Sequence, residues 1–154
     1  MAFLTRADYE QLIYSLPHQS PEVASSNLRL YSKSSDTAVV RGSVRFQNGL
    51  ELRLFEVLDF VAGCISDYSY TVFLGEERVR WYDPQPHPEV VELQRTFPHH
   101  RHEPPDTTVL EEKRTGIKHN RKPAPGISFT APNLATLIAD CIELGADLAR
   151  ETLS

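Results

Sequence analysis

The sequence predicts an α+β protein: a single antiparallel sheet, a meander of about five strands, with N-terminal and C-terminal helices packed on one face and a long Pro/His-rich segment along one edge. Three observations predict it. Helical periodicity is confined to the two ends of the chain. Strand-like alternation fills residues 28–82, and residues 84–132 hold nine of the eleven prolines with little apolar periodicity. Helices at both ends of a meander can bury the same sheet face.

Residues 7–16 place Tyr9, Leu12, Ile13 and Leu16 at helical spacing, with Thr5 as N-cap. Pro17 and the polar stretch 18–26 end this helix, and Leu28-Arg29-Leu30-Tyr31 reads as a short strand. In residues 37–46, Val40, Gly42, Val44 and Phe46 alternate with Arg41, Ser43 and Arg45. Asn48-Gly49 signals a two-residue hairpin, because both residues accept positive φ. Leu50, Leu52, Leu54 and Glu56 then share one face, opposite Glu51, Arg53 and Phe55. Runs 65–73 and 78–82 flank another turn at Gly75-Glu76-Glu77, which completes the meander. Alternation sets Arg41, Arg45 and Arg53 on a face the helices do not cover.

After Asp83 the pattern is that of loop. Residues 107–116 have only Val109 and Leu110 as apolar anchors and are expected to form a mobile insertion. Ile127-Ser128-Phe129 suits a brief extended contact. The last helix is expected to start near Pro132, with Leu134, Leu137, Ile138, Cys141, Ile142, Gly145 and Leu148 as its apolar stripe.

Composition bounds the function classes. A chain of 154 residues, 40% hydrophobic, is one domain with a core rather than a disordered chain. No apolar run is long enough to span a bilayer, and the N-terminus lacks a signal-peptide pattern, so no membrane partner is expected. Cys64 and Cys141 make neither a disulfide framework nor a thiolate metal site, which fits a soluble cytoplasmic protein with reduced thiols. A net charge of −5 argues against coating nucleic acid by bulk electrostatics. Yet Lys113, Arg114, Lys118, Arg121 and Lys122 occupy residues 113–122 without an acid, and five of six histidines fall between 87 and 119. Phosphate-loop, CxxC, GxSxG and dinucleotide-binding motifs are all missing, so nothing supports an ATPase, an oxidoreductase or a serine hydrolase.

Three constellations carry chemistry. In Phe97-Pro98-His99-His100-Arg101-His102, extended backbone puts His100 and His102 on one side and His99 and Arg101 on the other. Two adjacent imidazoles suit general acid–base work near neutral pH. They equally suit a metal, with Asp83 completing the ligands, or a surface loop whose histidines bond backbone carbonyls. In Trp81-Tyr82-Asp83-Pro84-Gln85-Pro86-His87-Pro88, a strand end runs into a rigid turn. There Asp83 can orient a histidine and His87 can join the later cluster, or Asp83 simply forms a turn. In Ile117-Lys118-His119-Asn120-Arg121-Lys122, the cations suit phosphate contacts and His119 or Asn120 a base, against the plainer reading of a solvated basic loop.

These elements, with Pro104-Pro105-Asp106, Pro123-Ala124-Pro125, Tyr68-Ser69-Tyr70, Ser128-Phe129 and Pro132-Asn133-Leu134, resemble the TumE-like toxin family, in its cyanobacterial-looking branch, over most of the chain. The resemblance implies the toxin half of a bacterial type II toxin–antitoxin pair, beside a helix-turn-helix antitoxin. Two departures stand out. Pro84 and Pro88 replace the Asn and second His of the family's commoner form, and residues 107–116 look inserted. The expectation is a metal-independent endoribonuclease without a cofactor: His100 and His102 as acid–base pair, Asp83 as orienting carboxylate, His87 beside them. Arg101, Lys118, His119, Asn120 and Arg121 would contact RNA. A non-catalytic binding module and a metal-dependent nuclease are the alternatives.

Overall fold

The structure is a computed structural model that describes residues 3–84, 99–104, 121–124 and 126–153. In chain order it contains α1 (Arg6–Tyr14), α2 (Leu16–Gln19), β1 (Val23–Ser26), β2 (Arg29–Ser32), β3 (Thr37–Phe46), β4 (Leu50–Asp59), β5 (Cys64–Leu74) and β6 (Glu77–Asp83). β7 (His100–His102), β8 (Arg121–Pro123) and α3 (Leu134–Leu153) follow among the described residues. All strand pairs are antiparallel, in the order β1-β3-β4-β5-β6-β7-β8, with β2 beside β3 on the same edge as β1.

The α+β class holds, with eight strands among the described residues rather than five. The additional three are β1, inside the stretch read as polar, and β7 and β8, inside the stretch read as loop. Each is three or four residues long, too short for alternation to register. Pro17 does not end the first helix. The chain breaks at Ser15, and Pro17 sits in the first turn of α2, where its missing N–H costs no hydrogen bond. Thr5 caps α1 as expected, accepting the Asp8 N–H at 3.2 Å. At the β3–β4 turn only Gly49 takes a positive φ, 91°, so Asn48 does not use the left-handed region. α3 begins at Leu134, two residues after Pro132, and the Asn133 carbonyl accepts the first helical bond, from Leu137, at 2.9 Å. Its buried stripe runs through Leu134, Leu137, Ile138, Cys141 and Leu144, while Ile142 is exposed.

Register explains where the core lies. Val40, Val44, Leu52, Leu54, Leu58, Tyr70 and Val72 occupy one face of β3–β5 and are buried under the helices. Both helices reach this face through one polar network. Tyr9 of α1 donates to Glu56 Oε1 at 2.7 Å, and Tyr70 of β5 donates to Glu56 Oε2 at 2.5 Å. Asn133, at the start of α3, donates to the Tyr70 oxygen at 2.8 Å. Tyr82 of β6 adds a bond to Asp140 of α3 at 2.9 Å. Burial pushes the Glu56 carboxyl above its ordinary range, and the two tyrosine hydrogen bonds only partly oppose this. The tyrosine hydroxyls are likewise held protonated, mainly by burial. A buried carboxyl with paired oxygens is tolerable where a bare one is not.

The opposite face carries Arg41, Arg45 and Arg53. Arg41 pairs in register with Phe55, Ser43 with Arg53, and Arg45 with Glu51. All three arginines are exposed, as the alternation predicts.

Candidate functional site

The site forms where β6 ends and β7 lies beside it. Asp83 is in register with His100, Tyr82 with Arg101, and Trp81 with His102. Alternation therefore sends Asp83, His100 and His102 to the sheet face opposite α1 and α3. His100 Nε2 lies 2.9 Å from Asp83 Oδ1, and His102 Nε2 lies 3.1 Å from Oδ2. One carboxylate thus faces two imidazoles, one on each oxygen. The rings meet edge-on with centroids 4.5 Å apart, and His102 stacks flat on Trp81 at 5.3 Å. Both histidines are buried, whereas the Asp83 side chain retains 26% exposure and is the open side of the cluster.

A carboxylate accepts hydrogen bonds and cannot donate them when ionised. An imidazole Nε2 that carries its hydrogen can present it to such a carboxylate, and both Nε2 atoms lie within ion-pair distance of Asp83. The same three residues also form a metal-ligand geometry: one atom from each lies within 4.8 Å of the others. Two imidazoles and a carboxylate are a common donor set for zinc and other first-row metals.

The remaining expected site residues divide. Arg101 points to the helix side of the sheet, away from His100 and His102, with its Nε 3.5 Å from Glu103 Oε1. Glu103 there gathers Arg80, bonded at 2.7 Å and 3.0 Å, and Lys122 at 3.5 Å. These cations hold its carboxyl below the ordinary range despite burial. Arg121 is in backbone register with His102. His87, Lys118, His119 and Asn120 lie outside the described residues, as does the 107–116 insertion.

His99 has a separate place, on the helix side. Its Nδ1 lies 2.7 Å from the Tyr68 hydroxyl, and its ring packs on Phe129 with centroids 4.5 Å apart. Burial, then the neighbouring His100, lowers its proton affinity, while burial keeps Tyr68 protonated. Tyr68 donating to a neutral His99 satisfies both. Ile127 is buried, and the Phe129 carbonyl accepts the Ile65 N–H at 2.6 Å, which makes the expected extended contact real.

An α+β sheet with a carboxylate between two buried histidines, on the face opposite α1 and α3, defines a small domain with a compact polar centre between β6 and β7. Compared with known families, the chain matches the model described as Toxin TumE over residues 10–144. It belongs to the TumE toxin family, so its role is that of a toxin component with a cognate antitoxin as partner. No curated protein matches the chain, and no solved structure does. Among the described residues, no helix is long and apolar enough to cross a membrane.

Proposed function

We propose that this toxin acts in the cytoplasm on RNA as an endoribonuclease, with Asp83, His100 and His102 as its catalytic centre and no metal required. The observation that supports this most directly is the single carboxylate set within 2.9 Å and 3.1 Å of two imidazole Nε2 atoms. With Asp83 ionised, one neutral and one protonated imidazole balance as an acid–base pair. The neutral ring takes the 2′-hydroxyl proton as the 2′-oxygen attacks phosphorus. The protonated ring delivers its proton to the departing 5′-oxygen as the P–O5′ bond breaks. The products are a 2′,3′-cyclic phosphate and a 5′-hydroxyl. His87 joins this centre, and Lys118, His119, Asn120 and Arg121 contact the RNA. The antitoxin, of helix-turn-helix type, covers this region. Arg101 belongs instead to the Glu103 cluster and positions β7.

A second reading, a metal-dependent nuclease, is favoured by the convergence of three ligand atoms within 4.8 Å. One experiment separates the two. Purified toxin is incubated with RNA with and without EDTA, and the cleaved ends are sequenced and chemically typed. Acid–base cleavage is expected to ignore EDTA and leave cyclic phosphate ends. Loss with EDTA and recovery with added zinc or manganese would select the metal reading. Because both histidines are buried strand residues, alanine variants lose packing as well as chemistry. His100→Gln and His102→Gln are therefore better, since the amide nitrogen can still donate to Asp83 without a titratable ring. Each is expected to cut activity by roughly 100- to 10,000-fold while the protein remains folded. Gln variants as active as the wild-type protein would remove both catalytic readings and favour a binding module.

A further inference from the structure

The sheet face opposite α1 and α3, beyond the histidines, has its own organisation. Four exposed arginines, Arg41, Arg45, Arg53 and Arg78, stand on it in a chain whose net charge is −5. Three of them lie over aromatic rings of the same face. Arg78 sits 3.7 Å from the centroid of Trp81, Arg53 4.1 Å from that of Phe73, and Arg41 5.9 Å from that of Phe55. Glu51 is the acid between them, 3.7 Å from Arg53, while Asp59 and Asp67 lie toward the far end of β4 and β5.

The register makes this face continuous with the catalytic cluster. Arg53 pairs with Thr71, Thr71 with Trp81, and Trp81 with His102. These are neighbouring strands, so Arg53 and His102 stand about 14 Å apart across three strand spacings. Trp81 is the joint, carrying Arg78 over its ring and His102 stacked against it. A guanidinium over an aromatic ring is attracted to the ring, and its outer side is a surface on which a nucleobase can stack.

We propose that this face is a single-stranded RNA platform leading to Asp83, His100 and His102. Bases stack on the Arg53 and Arg78 planes, and Arg41 and Arg45 meet phosphates. The proposal rests on the ribonuclease reading and names its substrate class. Single strands are favoured over a duplex because flat stacking surfaces require unstacked bases, and sheets of this kind hold two or three of them. Charge complementarity also favours a polyanion over an acidic protein like this one.

The test uses the full chain and a fluorescent single-stranded RNA of about 12 nucleotides with 2′-O-methyl sugars, which binds without being cut. Arg53→Ala and Arg78→Ala are each expected to weaken binding about 5- to 100-fold, the loss of a stacked base. Each charge lost from a phosphate contact should reduce the slope of log affinity against log salt by about 0.7. Arg53→Lys, which keeps charge but not the planar guanidinium, should leave the salt slope unchanged and keep only part of the affinity, whereas Arg41→Ala and Arg45→Ala should lower the slope. Affinity within twofold of wild type in the Arg53→Ala/Arg78→Ala double variant would overturn the proposal. So would equal affinity for the RNA duplex, or a double variant that binds RNA normally and fails only to bind the antitoxin. Arginine-dependent binding by a protein that cuts no RNA would refute the nuclease and leave the platform. Cleavage by a protein whose arginine variants bind normally would do the reverse.

Discussion

Glu56 offers the sharpest test of how this fold is held together. Glu56→Ala removes the acceptor of two buried hydroxyls, Tyr9 at 2.7 Å and Tyr70 at 2.5 Å, and empties the volume between them. Each orphaned hydroxyl costs about 1–3 kcal/mol and the cavity adds to this, for a total of about 3–6 kcal/mol. In a domain of this size that lowers Tm by roughly 10–20 °C. Glu56→Gln behaves differently, because it keeps the shape and one acceptor while removing the charge. The folded carboxyl holds its proton more tightly than the unfolded one, since burial raises its proton affinity. Its contribution is therefore fully present below the unfolded glutamate range and is lost as pH rises through the folded value. Chemical denaturation across pH 4–8 should then show Glu56→Gln near wild type at the acid end and gaining on it as pH rises. The gain is about 1.4 kcal/mol for each pH unit of separation between folded and unfolded values. A Glu56→Ala protein within about 1 kcal/mol of wild type would refute the network. So would a Gln-to-wild-type difference that does not change with pH.

Two further outcomes follow from packing. Gly42 takes a φ of 139°, and a Cβ there would lie 2.7 Å from Asn27 Oδ1 and 2.8 Å from the Asn27 carbonyl. Gly42→Ala should therefore destabilise by about 2–4 kcal/mol and speed amide exchange in residues 28–32, while wild-type stability would refute the close crossing. Cys141 is buried, and burial pushes its thiol up to about 12, so native protein should be alkylated at Cys64 and only after denaturation at Cys141, as read by mass spectrometry.

Much of the fold was legible, and the physical reason is the one-sided sheet. β3, β4 and β5 have ten or eleven residues each, with α1 and α3 on one face and mostly exposed or half-buried side chains on the other, so burial imposes a period of two on much of the sequence. The signal fails where that condition fails. β1, β7 and β8 are too short to show a period, and β1 and β2 share one edge of β3, separated by the crossing at Gly42. Glu56 was legible in position but not in role. It stands in phase with Leu50, Leu52 and Leu54, and only the fold brings Tyr9 and Tyr70 to it from 47 and 14 residues away.

The site obeys the same logic. The spacing of His100 and His102 put both on one face before any partner was known, and Asp83 stands opposite them because β7 pairs with the end of β6. The long-range pairing itself had no local signal, since β6 and β7 are joined through residues 84–99. Arg101 shows how a local rule can be read and then overlooked. The alternation that unites His100 and His102 sends Arg101 to the opposite face, so it cannot share their side of the sheet, whatever its charge suggests. Its actual surroundings explain its presence. Arg80 and Glu103 form a largely buried pair at 2.7 Å, and Arg101 and Lys122 add positive charge from neighbouring strands at 3.5 Å each. A carboxylate shared by three cations on β6, β7 and β8 ties the short outer strands to the sheet. Strands of three residues form few ladder bonds and gain little from burial, so they need such cross-links. Because β7 carries both histidines, this ionic cluster on one side of the sheet holds the geometry of the Asp83, His100 and His102 cluster on the other.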